Sequence, residues 1–294
     1  MPNAALPGGL GPAAAGGKAS RVVSPQGGSG QGGSGQGGSG GTGPPGEGAS
    51  RVLVAVAHGS ADPRASATIA GLAAVARERS PGLDLRTAFL GHAPPSLPQV
   101  LGTIEADREV TVLPLLLTAA YHSKADIPRI LSRTPRTQGP RVSYGATLGP
   151  HPLLLDALDR RLAEADPVAY RDPARTAVVL TAAGSSDPEA NATIARMAAQ
   201  WQARTGWFAV RPAYASAAEP SPAAAVAGLL RNGAPRVVVA TYLLAPGLFA
   251  DRIRHTALSA GAAAVSPALG ACAEVADVML DRFAQAGSTR RTAA

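Results

Sequence analysis

Two histidines stand where imidazoles could carry out chemistry. His58 directly follows the apolar run of residues 52–57, and His122 lies a few residues beyond a second apolar run, residues 109–117. An imidazole can bind a borderline divalent ion such as Co²⁺, Ni²⁺, Zn²⁺ or Fe²⁺, and it can accept a proton near neutral pH. The pair predicts a weak metal site that also offers proton acceptors.

The chain contains two copies of one sequence unit. Residues 62–70 read DPRASATIA and residues 187–195 read DPEANATIA, which is the same nonapeptide with two substitutions, 125 residues further on. Each nonapeptide follows shortly after an apolar run typical of a buried strand. We therefore interpret the chain as a tandem repeat.

The two copies differ at the histidines. Ala183 stands opposite His58, and Phe249 stands opposite His122 when the leucine pairs of the two copies are aligned. The turn after the strand keeps its other residues in the second copy without the imidazole. Loss of both imidazoles from the same copy indicates a pair that works together, so we assign the chemistry to the N-terminal half.

Strands and helices are predicted to alternate in both copies, which is typical of βαβ units in a parallel sheet. Ligands of such sheets bind beyond the carboxyl ends of the strands, so both histidines are expected to reach one crevice. The predicted strands are 52–57, 84–90, 109–117, 142–146, 177–182, 208–214, 236–244 and 263–266, and the predicted helices are 66–79, 95–104, 125–132, 152–165, 188–204, 222–231, 248–260 and 272–284.

Composition divides the chain into two lobes and two tails. Residues 1–50 contain three QGGSG units and almost no large apolar side chains, so we expect a disordered tail. Residues 51–165 form the predicted N-terminal lobe with the histidine pair, and residues 176–285 form the degenerate C-terminal lobe. Residues 286–294 are expected to be a second disordered tail.

The expected setting is the cytoplasm. Cys272 is the single cysteine, which excludes an internal disulfide and fits a reducing compartment. No apolar stretch reaches the ~20 residues of a membrane span, and residues 1–18 lack the apolar core of a secretory signal. We expect a monomer with a pseudo-twofold repeat.

The charge of the chain favours small anionic ligands. Residues 51–294 carry +6 of the formal net charge of +7, almost wholly through arginine, whose planar fork of donors matches carboxylates and phosphates. Aromatic residues make up only 4% of the chain and no basic cluster is interleaved with them. Nucleic acid is therefore not expected as a partner.

Four further residues are candidates for the site. His92, in the segment LGHAPPS, is a third possible metal ligand, although a polar loop histidine is the commoner case. Ser60 could contact substrate, although Ser60 or Asp62 could equally cap the helix that follows. Lys124 and Arg129 flank the predicted crevice and could meet an acidic ligand, whereas charged helix residues more often form a solvated face.

At these residues the sequence resembles the sirohydrochlorin chelatases, the class II tetrapyrrole chelatases of siroheme and cobalamin synthesis. The matching segments are AVAHGSADP at residues 55–63, AFLGHAPPSLPQVL at 88–101 and VLPLLLTAAYHSKADIP at 112–128. The resemblance implies an α/β protein with two tandem flavodoxin-like lobes, each a parallel sheet with helices on both faces. It also implies that the tetrapyrrole lies between the lobes and that His58 and His122 are the catalytic metal ligands.

The reaction implied by the resemblance is ATP-independent insertion of Fe²⁺ or Co²⁺ into sirohydrochlorin. The divalent metal is then a substrate and no separate cofactor is needed. The ion must shed water and two pyrrole protons must leave the macrocycle, and an imidazole can first hold the ion and later accept a proton. The arginine-rich balance fits a polycarboxylate substrate.

One departure from the family pattern leaves the function open. Family members commonly carry an acidic residue after the second strand, where this chain has Gly91 followed by His92. His92 or Glu219 could substitute for that carboxylate. A rival function is a metal or tetrapyrrole carrier without turnover. A hydrolase or phosphatase using His58 is disfavoured, because no G-x-S-x-G elbow occurs and no arginine precedes His58 to grip a phosphate.

Overall fold

The computed structural model describes residues 51–119, 126–133 and 139–292, so His122 and Lys124 lie outside the described residues. Its N-terminal copy is a four-stranded parallel sheet of strand order β2-β1-β3-β4. Its elements are β1 (Val52–Ala57), α1 (Pro63–Arg79), β2 (Asp84–Phe89), α2 (Leu97–Leu101), β3 (Glu109–Pro114), α3 (Ile127–Arg133), β4 (Arg141–Tyr144) and α4 (Pro152–Ala165). All six residues of β1 are buried, because this central strand is covered on both faces.

The C-terminal copy repeats this topology, with strand order β6-β5-β7-β8. Its elements are β5 (Thr176–Ala182), α5 (Pro188–Thr205), β6 (Ala209–Tyr214), α6 (Pro222–Arg231), β7 (Arg236–Tyr242), α7 (Leu248–Ser259), β8 (Ala264–Val265) and α8 (Ala273–Thr292). Two short 3-10 helices, Ala169–Arg171 and Pro173–Arg175, connect the copies. The predicted fold class, two tandem α/β lobes with parallel sheets, is confirmed.

The last helix of each copy covers the sheet of the other copy. Helix α4 packs on β7, and Trp201 Nε1 of α5 donates to Asp159 Oδ1 of α4 at 2.8 Å. Helix α8 packs on α1 and β3, and Arg282 donates to the carbonyl oxygens of Thr147 and Pro150 at 2.9 and 2.8 Å. One hydrophobic core accordingly joins the inner faces of both sheets through these exchanged helices.

Residues 286–292 are helical, whereas the sequence predicts a disordered tail over residues 286–294. Helix α8 continues to Thr292 rather than ending near residue 285. The guanidinium of Arg51 lies 4.1 Å from the ring centre of Phe283 and donates to its carbonyl oxygen at 2.9 Å. Gly287 leaves room for Arg51, because a Cβ there would overlap the guanidinium. This contact with the start of β1 is long-range, and the tail sequence does not reveal it.

Two strands are shorter than their apolar runs predict. Strand β3 ends at Pro114 rather than at residue 117, and β7 ends at Tyr242 rather than at residue 244. The apolar residues that follow both strands line the space between the lobes. An apolar run indicates buried residues, and here some of these residues line the cleft instead of extending the strand.

No helix of the described chain is both long enough and apolar enough to span a bilayer.

Candidate active site in the inter-lobe cleft

A cleft of about 670 Å³ lies between the two lobes, at the carboxyl ends of their central strands. In each lobe the first and third strands are neighbours, and the chain proceeds to opposite edges of the sheet on either side of them. Open parallel sheets bind ligands at the carboxyl end of such a switch point. The cleft is lined by residues 57–60 and 115–118 of the first lobe and by residues 182–185 and 242–250 of the second, among others.

A tight turn carries His58 to this cleft. Gly59 adopts a φ of +87°, and a Cβ there would overlap the carbonyl oxygen of Gly91. The backbone of the turn is held by a 3.1 Å hydrogen bond from the Gly91 amide to the His58 carbonyl oxygen. The imidazole of His58 is exposed at the carboxyl end of β1, so a ligand in the cleft can reach it.

The residues after His58 build the start of α1. Asp62 is the N-cap and accepts a 2.9 Å hydrogen bond from the Arg64 amide. Ser60 lines the cleft, and its Oγ accepts from the Asp62 amide at 3.0 Å. Ser185 accepts from the Asp187 amide at the same distance in the second lobe. Because both lobes keep this bond, the turn alone explains the serine, and substrate contact by Ser60 stays a prediction.

His92 stands beside His58. The two ring centres are 6.3 Å apart and the ring planes are inclined by 12°, although His92 is not one of the residues that line the cleft itself. His92 has a φ of 61°, a left-handed conformation that is uncommon outside glycine. Ala217, 125 residues later, has a φ of 58°. The second lobe therefore keeps the backbone geometry and lacks the imidazole.

The signal that identifies His92 is present in the sequence. The offset of 125 residues that pairs His58 with Ala183 also pairs His92 with Ala217. A comparison of the two copies at His58 and His122 alone leaves His92 as the weaker candidate. The second copy has lost an imidazole at His92 as well, so the same criterion selects three histidines.

The other candidates are placed differently. Arg129 lies on α3 and pairs with Asp126 at 3.3 Å, and it is not one of the described residues that line the cleft. Glu219 is exposed and accepts a 2.7 Å hydrogen bond from the Ser221 amide at the start of α6, also outside the described cleft lining. The structure thus joins His92, and not Glu219, to His58. His122 lies outside the described residues and its role stays a prediction.

Carboxylates are absent from the described part of the cleft lining, and Arg252 is its only side chain with a permanent positive charge.

The two lobes are bridged by Arg64, whose guanidinium lies 2.6 Å from both Asp62 and Asp251. Hydrogen bonds from Arg64 lower the pKa of both carboxyl groups. These two carboxylates are therefore engaged in joining α1 to α7.

The floor of the cleft is neutral and closely packed. Tyr242 is buried, and burial raises the pKa of its phenol. Its hydroxyl donates to the carbonyl oxygen of Leu117 in the other lobe at 3.0 Å. Gly149 packs between these two groups, because a Cβ there would overlap both of them.

The donor set fits a loosely held ion. Within the part of the chain that the structure describes, no three His, Cys, Asp or Glu side chains gather as a metal cage. His58 and its neighbour His92 offer imidazoles at an accessible position. Imidazole suits Fe²⁺ and Co²⁺, and two neutral ligands leave the ion free to exchange its remaining ligands.

Comparison with known proteins identifies the family. A family model described as CbiX matches residues 52–165 and matches again at residues 177–286. The chain belongs to the CbiX family of sirohydrochlorin chelatases. The two matched regions correspond to the two lobes.

Two sirohydrochlorin chelatases of Priestia megaterium are similar in sequence to this chain over part of their length. The sirohydrochlorin cobaltochelatase of Priestia megaterium is 28% identical over 204 residues, which are 68% of this chain and 66% of that protein. A sirohydrochlorin ferrochelatase of the same organism is 27% identical over 173 residues, 57% of this chain and 63% of that protein. The chain thus matches less than two thirds of the length of either relative.

Solved structures share the fold. SirB from Bacillus subtilis with Fe³⁺ superposes with a TM-score of 0.70 at 23% identity and covers 82% of this chain and 97% of that one. A multidomain protein from Deinococcus radiodurans, DR2241, superposes with a TM-score of 0.66 at 25% identity, over 80% of this chain and 55% of that one.

Proposed function

We propose that this protein is a sirohydrochlorin chelatase that inserts Fe²⁺ or Co²⁺ into sirohydrochlorin. The observation that carries the proposal is the placement of His58, with His92 beside it, at the strand end of a cleft between two lobes. Both imidazoles are replaced by alanine in the second lobe, where the same backbone turns persist. Their presence in the first lobe therefore serves something other than the fold.

The chemistry required matches these groups. A divalent ion that enters the macrocycle exchanges its water ligands for pyrrole nitrogens, and two N–H protons leave the macrocycle. Neutral imidazole binds the incoming ion weakly enough to release it, and an imidazole that has released the ion can accept one of the protons. His58 is the proposed first ligand, with His92 beside it and His122 as the predicted third imidazole.

The electrostatics of the cleft favour weak retention of the metal. The absence of carboxylates from the described lining means that a divalent cation is not trapped there by charge. A cage of three or more anionic ligands would hold a metal that has to leave for the substrate. With Gly91 in place of a carboxylate, the imidazoles are the proton acceptors that remain for the chelatase reaction.

A carrier function is the second candidate, and the same missing carboxylate favours it. A protein that had kept the cleft and the imidazoles while losing proton acceptance would bind metal or tetrapyrrole without turning it over. This candidate predicts stoichiometric binding rather than catalysis. It makes the same prediction as the chelatase for the fold and for the site of binding.

Absorbance spectroscopy separates the two functions. Catalytic amounts of the protein are mixed with excess sirohydrochlorin and Fe²⁺ or Co²⁺ under anaerobic conditions, and the spectrum of the metallated product is followed. A chelatase yields many equivalents of product per protein, above the rate without protein. Product limited to about one equivalent contradicts the proposal and supports the carrier. Comparing the two metals distinguishes supply of siroheme from supply of cobalamin.

A further inference from the structure

Most arginines of the described chain are already engaged. Arg204 pairs with Asp156 at 2.9 Å, and Arg236 pairs with Asp166 at 2.5 Å. Others, such as Arg282, donate to backbone carbonyl oxygens. These guanidinium groups hold the fold together and are not available to bind a ligand.

Arg252 differs from them. Among the described residues, its guanidinium has neither a hydrogen-bond nor an ion-pair partner, and the side chain lies exposed in α7. It is also the only permanently charged side chain of the described cleft lining. A guanidinium that no described residue pairs, in a described cleft lining without carboxylates, is a binding group for an anion that comes from solution.

Apolar side chains accompany this charge. Leu248 and Phe249 lie four and three residues before Arg252, so the three share one face of the first turns of α7. All three line the cleft. Leu248 is 84% exposed, the highest value among the exposed large hydrophobic residues of the described chain, and Phe249 is 44% exposed. Exposed apolar side chains beside a binding cleft mark a surface that is covered when ligand is bound.

We propose that this face of α7, formed by Leu248, Phe249 and Arg252, is the docking edge for the tetrapyrrole. The two apolar side chains contact the macrocycle, and the guanidinium pairs with one of its peripheral carboxylates. This inference rests on the proposed function, since it takes a polycarboxylate tetrapyrrole as the ligand. It assigns to the second lobe a role in substrate binding that its lack of imidazoles does not reveal.

Arg252 belongs to the second lobe and His58 to the first, and both line the same cleft. A macrocycle that fills this cleft can therefore meet the guanidinium on one lobe and the imidazole on the other. In this proposal the first lobe binds the metal and the second lobe binds the edge of the macrocycle.

Arg254 provides a matched control. It is an exposed arginine on the same helix, also without a hydrogen-bond or ion-pair partner among the described residues, and it lines a separate depression of about 500 Å³ instead of the cleft. Arg252→Gln and Arg254→Gln therefore remove the same charge from the same element. Leu258, 39% exposed and in the same depression, provides the corresponding control for Leu248.

The test measures binding of metal-free sirohydrochlorin by its change in absorbance. Arg252→Gln should weaken binding at least about ten-fold, the loss of one charge-assisted hydrogen bond, while Arg254→Gln matches wild type. Arg252→Lys should recover part of the affinity. Raising the ionic strength should weaken sirohydrochlorin binding by the wild-type protein more than binding by Arg252→Gln.

In the insertion assay Arg252→Gln should raise KM and leave kcat unchanged. Leu248→Ser should weaken binding, and Leu258→Ser should not.

The outcomes separate this inference from the proposed function. If wild-type protein binds sirohydrochlorin and Arg252→Gln binds it equally well, the docking edge is refuted while the chelatase proposal stands. Equal weakening by Arg254→Gln would also refute it, because the effect would be one of overall charge. If wild-type protein does not bind sirohydrochlorin, the proposed function fails. Thermal melting of each variant verifies that the fold is intact.

Discussion

At the scale of single residues, the two imidazoles are placed by backbone geometry that does not depend on them. Gly59 and Gly184 share a φ of +87°, and His92 and Ala217 share a left-handed conformation. The second lobe thus serves as a natural variant in which alanine replaces histidine. Replacing an imidazole by alanine in the first lobe should therefore leave the fold intact and remove only its chemistry.

A further histidine, His151, has a structural role that the sequence does not predict. The position of His151 before a helix suggests a solvated side chain, but it is only 16% exposed and its Nδ1 accepts a 3.3 Å hydrogen bond from the Leu153 amide at the start of α4. Burial lowers the pKa of His151, and the positive charge of Arg282 lowers it further against the opposing effect of Asp281. The folded protein therefore favours neutral His151.

This role predicts a pH-dependent stability. Because the pKa of His151 is lower in the folded than in the unfolded chain, its contribution is fully present above the ordinary value of 6.5 and is lost as the pH falls through the lower folded value. His151→Asn keeps a capping acceptor that does not titrate. The free energy of unfolding of this variant, from urea titrations between about pH 7.5 and 5, should fall less steeply than that of wild type. Identical slopes would show that His151 does not contribute.

At the scale of elements, the turn after β1 depends on a close approach between two loops. Gly59→Ala introduces both a left-handed alanine and an overlap with the carbonyl oxygen of Gly91. Gly82→Ala is the matched control, because Gly82 has a φ of +83° and a Cβ added there would have no atom within 4 Å.

Urea denaturation should separate the two glycine variants. Gly82→Ala should cost about 1–2 kcal/mol for the left-handed conformation alone. Gly59→Ala should cost about 1–3 kcal/mol more, since the overlap forces the two loops apart. Equal losses of unfolding free energy in the two variants would mean that the loops separate without cost and that their packing does not position His58.

The order of the elements was predictable because strands covered on both faces produce continuous apolar runs, as in Val52–Ala57 and Thr176–Ala182. Local preferences predicted a helix cap at Ser60 or Asp62 before Pro63, and the structure has it at Asp62. The pairing of His58 with His92 was not, because it depends on two loops that meet only in the folded sheet. Periodicity likewise marks an apolar face on α8 without indicating which sheet that face covers.

At the scale of the whole molecule, the exchanged helices make the two lobes interdependent. Helix α8 completes the first lobe through ion pairs such as Arg79–Asp277, and α4 completes the second through Arg204–Asp159. The described residues of both lobes accordingly belong to one compact unit. The shared core and the ion pairs of Arg64 therefore restrict movement of one lobe relative to the other and so limit changes in the width of the cleft.

Interdependence predicts the behaviour of separated copies. Residues 51–165 expressed alone lack α8 and expose the apolar face of α4, so this fragment should show no cooperative thermal transition as a monomer. Mixing it with residues 166–292 should restore a transition, because each fragment supplies the helix that the other needs. Circular dichroism melts of the fragments, alone and mixed, measure this. A cooperative transition of the monomeric N-terminal fragment alone would contradict the exchange.

If the imidazoles of the first lobe carry metal insertion, His58→Ala should abolish insertion while the protein stays folded. The variant reproduces what Ala183 already is in the second lobe, and Ala183→His is the matched reverse change. In the anaerobic insertion assay, His58→Ala should retain the wild-type circular dichroism spectrum and melting temperature and lose at least about 10²-fold in turnover, the scale of a positioned proton-transfer group. Ala183→His should leave the wild-type rate unchanged. Insertion by folded His58→Ala at the wild-type rate, or a loss of activity that merely follows unfolding, would show that the imidazole of His58 does not carry the reaction.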